Sequence, residues 1–528
     1  MTTMDVQALL SGLPQRLSDI PRYWAGRTPE AVALSENGRQ YSFSQLDEAV
    51  DQVAAFLVRH GVRPGDRLMI VAENCVAQLV LIFAAARIDA WAVNVNARLS
   101  ASEVDAIQTH CQARLAVYTV GVSVEAGVHA RRQGALNTDL HGMGDIAIGP
   151  VNDSCKPEPV DADGDKQVAA LLYTTGTTGQ PKGVMLTHRN LLFVAAVSGQ
   201  VRGLVNADRA YGVLPITHVF GLASVAMGTL YAGASLYLAA RFSPAALIAA
   251  VRDDSLTIFQ GVPAMYARLL EYDCAGWDPS TSSLRFIYVG GSPLDATLKE
   301  NVERLFKRTL HNGYGMTESS PTISQTRIDA PRRDTSVGSV IPGIDIRIVD
   351  AAGIDAPAGE PGELWVRGPN VMKGYYREPE LTAAAIDSDG WLNTGDIARC
   401  DPDGALFIVG RTKDLIIRSG FNVYPIEVES ALNSHPAVVQ SAVVGRQLQD
   451  GNEEVVAFVE LDPAFKSIGP DDLKMYLEPL LAAYKRPAQI VVMDAMPAAA
   501  TGKILKGQLK QLSQQLSGEP QVGKLDVA

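Results

Sequence analysis

Thr174, Thr175, Gly176, Thr177, Thr178, Gly179, Gln180, Pro181, Lys182 and Gly183 follow one another without interruption, and Thr187 stands just downstream. Glycines let a backbone turn its amides toward an anion, the threonine hydroxyls add hydrogen bonds, and Lys182 adds charge. The combination is a grip for phosphate. It is not a Walker A loop, because Lys182 is followed by Gly183 instead of Ser or Thr and the glycines are wrongly spaced.

The elements that must hold this loop read as alternating strands and helices. The strand LLYT leads into it and the helical run THRNLLFVAA follows. Upstream, AVALSENGRQYSF is a hairpin candidate, and Ser44 can cap a helix in which Leu46, Val50, Val53 and Leu57 recur at helical spacing until Gly61 stops it. A strand, RLMIVAE, comes next. Helical apolar runs then alternate with LAVYTV, AALLYT, LTIFQGV and LRFIYVG, which predicts an α/β fold of βα units around largely parallel sheets. From about Val337, GSVIPGIDIRIVD and PAGEPGELWVRG predict a β-rich subdomain. Past GRTKD, the strands AVVQSAVVG, EVVAFVEL and AQIVVM and a helix over 471–483 predict a small α+β domain. The expected division is 1–412 and 413–528, with a loose tail at GEPQVGKLDVA.

The chain has 528 residues, 47% hydrophobic and 20% charged, a globular balance that excludes disorder as the main state. A net charge of −12 argues against a general grip on nucleic acid or an acidic membrane surface. The five cysteines form no CxxC pair, so neither a disulfide scaffold nor a zinc knuckle is expected. Residues 1–22 lack the pattern of an export signal, and a cytoplasmic protein is expected. Residues 213–240 carry no Asp, Glu, Lys or Arg, yet Pro215, Gly221, Gly228 and Gly233 interrupt them, so a buried segment ending in the strand ASLYLAA is expected, not a membrane span. Residues 77–95, broken by Arg87 and Asp89, predict a packed helix and strand.

YTTGTTGQPKGVMLTH resembles the signature of the adenylate-forming (AMP-binding) superfamily of acyl-CoA synthetases, nonribosomal-peptide adenylation domains and luciferases. PITHVFG (215–221), GGSPL (290–294), NGYGMTE (312–318), WLNTGD (391–396), GRTKD (410–414), SGFNVYPIEVE (419–429) and TGKILK (501–506) support it in family order. Taken alone, Tyr314 reads rather as a core aromatic, Lys503 as a solvated charge and Glu318 as a helix-cap acid.

The resemblance implies an ATP-dependent acid:CoA ligase with a large N-terminal domain and a mobile C-terminal one, using ATP, Mg²⁺ and coenzyme A, and acting as a monomer or homodimer without a transmembrane segment. Lys503 would bridge the acyl carboxylate and the α-phosphate, Thr317 would bond that phosphate, and Glu318 would hold Mg²⁺. Thr174, Thr175, Gly176, Thr177, Thr178, Gly179 and Lys182 would hold the β- and γ-phosphates. Tyr314 would stack on adenine, with the backbone of Gly291, Ser292 and Pro293 along its edge. Asp396 would accept from the ribose hydroxyls, assisted by Arg411. Lys413 falls at the family hinge, and Gly420 in the stretch lining the pantetheine tunnel. Where the family often has a basic residue and then Thr or Asn before the TGK motif, this chain has Ala498 and Ala499.

By family alignment the acyl pocket is drawn from residues near 218–224, 261–265, 288–291 and 315–323, uncharged apart from Glu318. A buried charge on the acid would then lack a partner, which ranks dicarboxylates and amino acids low. Neutral acyl or aromatic acids remain. The SGFNVYP string, similar to that of fatty-acyl-CoA ligases, points to a medium or long fatty acid, with an aryl acid or a carrier-protein thiol acceptor as alternatives. His218 would form a pocket wall or gate.

Overall fold

The computed structural model describes residues 4–175, 181–272, 277–350, 352–418, 421–448, 452–465, 468–498 and 504–516. Strands Val32–Glu36, Ser235–Leu238, Arg209–Gly212, Ile258–Gly261, Phe286–Val289 and Leu310–Gly315 run parallel in a nine-stranded sheet whose remaining, antiparallel strands lie at its edges. In an eight-stranded sheet, Val168–Thr175, Trp91–Asn96, Arg67–Ala72 and Leu115–Tyr118 are parallel, again with antiparallel additions on both sides.

The two-residue period of a strand decides which layer each side chain joins. Leu68 and Ile70 of one sheet and Ile258, Phe286 and Tyr288 of the other share a core with the helices Val76–Arg87, His188–Val201 and Phe220–Met227. Met69 and Val71 face the opposite way, onto Val104 and Ile107 of the helix Ala101–Cys111. Phe259, Ile287 and Val289 turn to an outer helical layer through Leu247, Tyr266 and Val302. The result is sheets alternating with helical layers, as the βα pattern predicts. Val76–Arg87 is apolar on all sides because it lies between the sheets, with every residue from Val76 to Ala86 buried.

The uncharged stretch at 213–240 folds as a wide-wound helix Phe220–Met227, a helical turn Gly228–Tyr231 and a buried strand Ser235–Leu238. Among the described residues no helix is long and apolar enough to cross a membrane. The β-rich subdomain is an antiparallel sheet of Asp345–Val349, Gly362–Arg367, Leu392–Cys400 and Leu406–Arg411. The small C-terminal domain is a three-stranded sheet of Val438–Gln447, Glu453–Leu461 and Gln489–Met493. Val428, Leu432, Leu473 and Leu477 pack on one of its faces and Leu509 on the other.

Three local expectations shift. The early helix, Phe43–Arg59, is capped by Ser42 and not Ser44. Gln45 completes a reciprocal box there, its backbone N donating to Ser42 Oγ at 3.2 Å and its side chain accepting from Ser42 N at 2.9 Å. The helix expected over 471–483 runs only from Pro470 to Leu477, since Pro479 has no backbone N–H with which to continue the hydrogen-bond ladder. The phosphate loop does not pass directly from strand to helix. Pro181–Thr187 is a strand, antiparallel to Val168–Thr175 with Thr174 opposite Lys182, and the helix His188–Val201 starts only after it.

Candidate active site

Ligands of open α/β sheets collect at the carboxyl ends of the parallel strands. Arg209–Gly212, Ile258–Gly261, Phe286–Val289 and Leu310–Gly315 are neighbours in one sheet. Their carboxyl ends lead to His218, to Gly261, to Gly291, Ser292 and Pro293, and to Tyr314, Thr317 and Glu318. Sequence-distant candidates therefore share one rim.

Tyr314 and Asp396 meet directly: the phenol donates to Asp396 Oδ2 at 2.5 Å, and Arg411 Nε lies 3.3 Å from Asp396 Oδ1. Strand register explains the second contact, because Asp396 and Arg411 are cross-strand partners. Burial, reinforced by the adjacent carboxylate, pushes the Tyr314 hydroxyl well above the usual phenol range, so it stays a donor. Asp396 N in turn donates to Thr394 Oγ1 at 3.1 Å.

Thr317 and Glu318 follow on a tight turn, Thr317–Ser319, and both are buried. Tyr375 Oη donates to Glu318 Oε1 at 2.9 Å, and the Glu318 carbonyl accepts from Met372 N at 2.9 Å. The Tyr375 hydroxyl is held above its ordinary range by burial and by Glu318. Lys182 Nζ lies 5.5 Å from the centroid of the same Tyr375 ring. Tyr375 thus joins the end of the phosphate loop to the acidic turn. It pairs in register with Val184, a link that no motif in the sequence signals.

His218 is exposed, and its Nδ1 accepts from Phe220 N at 3.3 Å. Gly291 has φ +81°, in the region that favours glycine. Lys413 stands exposed on the turn Thr412–Asp414, between the four-stranded sheet and the hairpin Ile416–Arg418/Phe421–Val423. Gly176, Thr177, Thr178, Gly179, Gly420 and Lys503 lie outside the described residues, as does the side chain of Thr175. The backbone flanking Lys503 is fixed by an isolated bridge between Ala498 and Ile504.

One expectation about the acyl side is corrected. The alignment-drawn stretches lack charge apart from Glu318, but Arg202, from outside them, is fully buried against them, its guanidinium carbon 4.4 Å from the Tyr288 ring centroid. The signal was present as helical spacing: Leu191, Ala195, Ser198 and Arg202 lie on one buried stripe.

Comparison with known proteins gives the family. The family described as AMP-binding enzyme matches residues 22–376, and AMP-binding enzyme C-terminal domain matches residues 427–503. The chain is 35% identical over 507 residues to a feruloyl-CoA synthase of Amycolatopsis sp, covering 94% of this chain and 99% of that one. It is 33% identical over 522 residues to 4-coumarate--CoA ligase 2 of Oryza sativa subsp. japonica, covering 92% and 90%. The ATP-bound structure of MatB from Rhodopseudomonas palustris superposes with a TM-score of 0.84 at 30% identity, over 94% of this chain and 99% of that one. With its two family domains in order, the chain belongs to the adenylate-forming, AMP-binding enzyme family and is an ATP-dependent acid:CoA ligase.

Proposed function

We propose that this ligase activates an aromatic carboxylic acid. The observation that carries the reading is the wall beside the nucleotide rim. The Phe220 and Tyr288 rings stand 6.1 Å apart at 69°, against the bare backbone of Gly290, Gly291 and Gly313. A Cβ built on Gly290 would lie 3.3 Å from the Phe220 ring, and one on Gly313 only 1.8 Å from Tyr288 Oη. Rings facing side-chain-free backbone suit a flat aromatic acid. The names of the feruloyl and coumarate ligases support the same class. The fatty acid favoured from SGFNVYP gives way, because Phe421–Val423 of that string pairs with Ile416–Arg418 in the C-terminal part of the chain, remote in sequence from this wall.

In the first half-reaction a carboxylate oxygen attacks the α-phosphorus of ATP, the bond to the β-phosphate breaks, and pyrophosphate leaves. Two anions must meet, so positive charge and fixed donors have to converge. We assign Lys182 and the threonines from Thr174 onward to the β- and γ-phosphates, Thr317 and Lys503 to the α-phosphate, and Tyr314, Asp396, Arg411 and the Gly291–Pro293 backbone to the nucleoside. Glu318 suits Mg²⁺, which takes one or two carboxylates with substrate phosphates and, when bound, would neutralise charge on them. Tyr375 orients that carboxylate. In the second half-reaction the coenzyme A sulfur attacks the acyl carbonyl and AMP leaves. We assign the turn at Lys413 as the hinge between 1–412 and 413–528, Gly420 to the pantetheine path, and His218 to a gate beside the acyl group.

The test is AMP and pyrophosphate release from Mg-ATP with cinnamic, benzoic, hexanoic and dodecanoic acids, each with and without coenzyme A. Coenzyme A-dependent AMP release highest with an aryl acid supports the reading, and preference for dodecanoate overturns it.

A further inference from the structure

Arg202 closes the helix His188–Val201, yet it is only 1% exposed. Its Nε donates to Gln325 Oε1 at 3.0 Å, and its Nη1 donates to Gln260 Oε1 at 2.8 Å and to the Ser224 carbonyl at 3.3 Å. Every acceptor is neutral. Among the described residues no carboxylate lies within ion-pairing distance of it. A guanidinium is almost never left buried without an anion, because neutral dipoles only partly replace the water it has lost. Burial accordingly pushes its pKa down, although it remains charged.

Gln260 supplies the second observation. It is 1% exposed, and because its Oε1 must face the Arg202 donor, its amide orientation is fixed. Its Nε2 is then a buried donor with no partner among the described residues. A lone buried donor carries a penalty that an incoming acceptor would remove.

The location ties both groups to the acyl wall. Arg202 stacks on Tyr288, whose hydroxyl packs on Gly313, and Gln260 immediately precedes Gly261 at the carboxyl end of its strand.

We propose that Arg202 and Gln260 form the far end of the acyl subsite and select an acid whose end remote from the reacting carboxylate carries an oxygen acceptor. The acid offers either a neutral ring oxygen or a second carboxylate: Gln260 Nε2 donates to it, and the Arg202 charge favours it. The proposal rests on the aryl-acid reading for the shape of the substrate, though not for the recognition chemistry. It reverses the expectation that the pocket lacks a buried counter-charge.

The experiment compares kcat/KM for pyrophosphate release across matched sets: cinnamate, 4-hydroxycinnamate and 4-carboxycinnamate, then hexanoate, 6-hydroxyhexanoate and adipate. The wild-type enzyme is expected to prefer an oxygen-bearing member within the set it uses. The hydroxyl and carboxylate arms then separate a neutral acceptor from an anionic one. In Gln260→Leu that preference should fall about tenfold, the size of one lost hydrogen bond. Arg202→Met should reduce it at least as far, with circular dichroism and melting checked for both variants. If Arg202→Met fails to fold, Gln260→Leu decides alone. Turnover confined to the aliphatic set would end the aryl reading while the selectivity ratio still tests Arg202 and Gln260. A wild type that prefers the unsubstituted acid, a Gln260→Leu ratio equal to wild type, or no turnover of any oxygen-bearing acid would overturn the proposal.

Discussion

Tyr314 donates to Asp396 at 2.5 Å although 82 positions separate them in the chain. The bond fixes the tyrosine ring at the end of its strand and leaves Asp396 Oδ1 to Arg411. One carboxylate thereby couples the ring assigned to adenine with the group assigned to ribose.

Asp396→Asn keeps the shape but removes the charge that both partners and a ribose diol would use. Hydrogen bonds to charged groups contribute about 1.5–3 kcal/mol, so the KM for ATP should rise on the order of 10- to 100-fold. The KM for the acid should change much less. ATP-dependent and acid-dependent initial rates measured separately check this, and equal increases in both constants would count against a nucleotide role.

Tyr375→Phe removes the donor to Glu318 without removing the carboxylate. Partners that orient a metal-binding group typically tune affinity by about 10- to 100-fold. The Mg²⁺ concentration giving half-maximal adenylation should therefore rise about tenfold in Tyr375→Phe, with activity recovered at high Mg²⁺. In Glu318→Gln excess Mg²⁺ should not restore the rate. Recovery of both variants would place the metal elsewhere.

Part of this geometry was legible from sequence because the candidate residues sit in contiguous strings: NGYGMTE carries Tyr314, Thr317 and Glu318 along the end of one strand and the turn after it, and WLNTGD carries Asp396 on a strand that reaches Tyr314. What escaped was contact between strings. Tyr375 reaches Glu318 through pairing with the strand that follows the loop, and Arg202 reaches Tyr288 from the end of a helix. Local spacing carries no record of either. The Ser42 cap was misread by two positions, since both serines precede the same apolar stripe and the reciprocal bond with Gln45 selects one. The strand Pro181–Thr187 was missed because PKGVMLT is short and continues straight into a helical run.

Buried histidines give a stability prediction with a definite sign. His188 is fully buried, its Nδ1 accepting from Leu17 N at 3.2 Å, and burial with the nearby Arg16 charge lowers its pKa from 6.5 to about 3. His311 is lowered to about 4, chiefly by burial. A depressed histidine is neutral when folded while the unfolded chain takes up a proton below about pH 6.5, so stability is full above that pH and falls as pH drops toward 3. For His188 the loss at pH 5 is about 2 kcal/mol, from about 1.5 pH units at 1.36 kcal/mol each. His188→Asn keeps an acceptor near Leu17 N but does not titrate. Urea denaturation at pH 7.5 and pH 5 should show a smaller pH-dependent loss in the variant, and identical losses would remove His188 from the account.

Lys503 offers the sharpest division of the two half-reactions. The bridge between Ala498 and Ile504 fixes the backbone on either side of its segment, and Leu505 N donates to the Pro497 carbonyl at 2.8 Å. If Lys503 serves only where carboxylate meets α-phosphate, Lys503→Ala should lower pyrophosphate release by about a thousandfold or more, the scale on which a cationic side chain acts at a phosphoryl-transfer transition state. Thioester formation from preformed acyl-adenylate and coenzyme A does not involve that meeting of anions and should fall less than about fivefold, a change worth under about 1 kcal/mol. Rapid-quench measurement of each half separates the two. Equal loss in both would mean that Lys503 supports the C-terminal domain as a whole and not the phosphate chemistry alone.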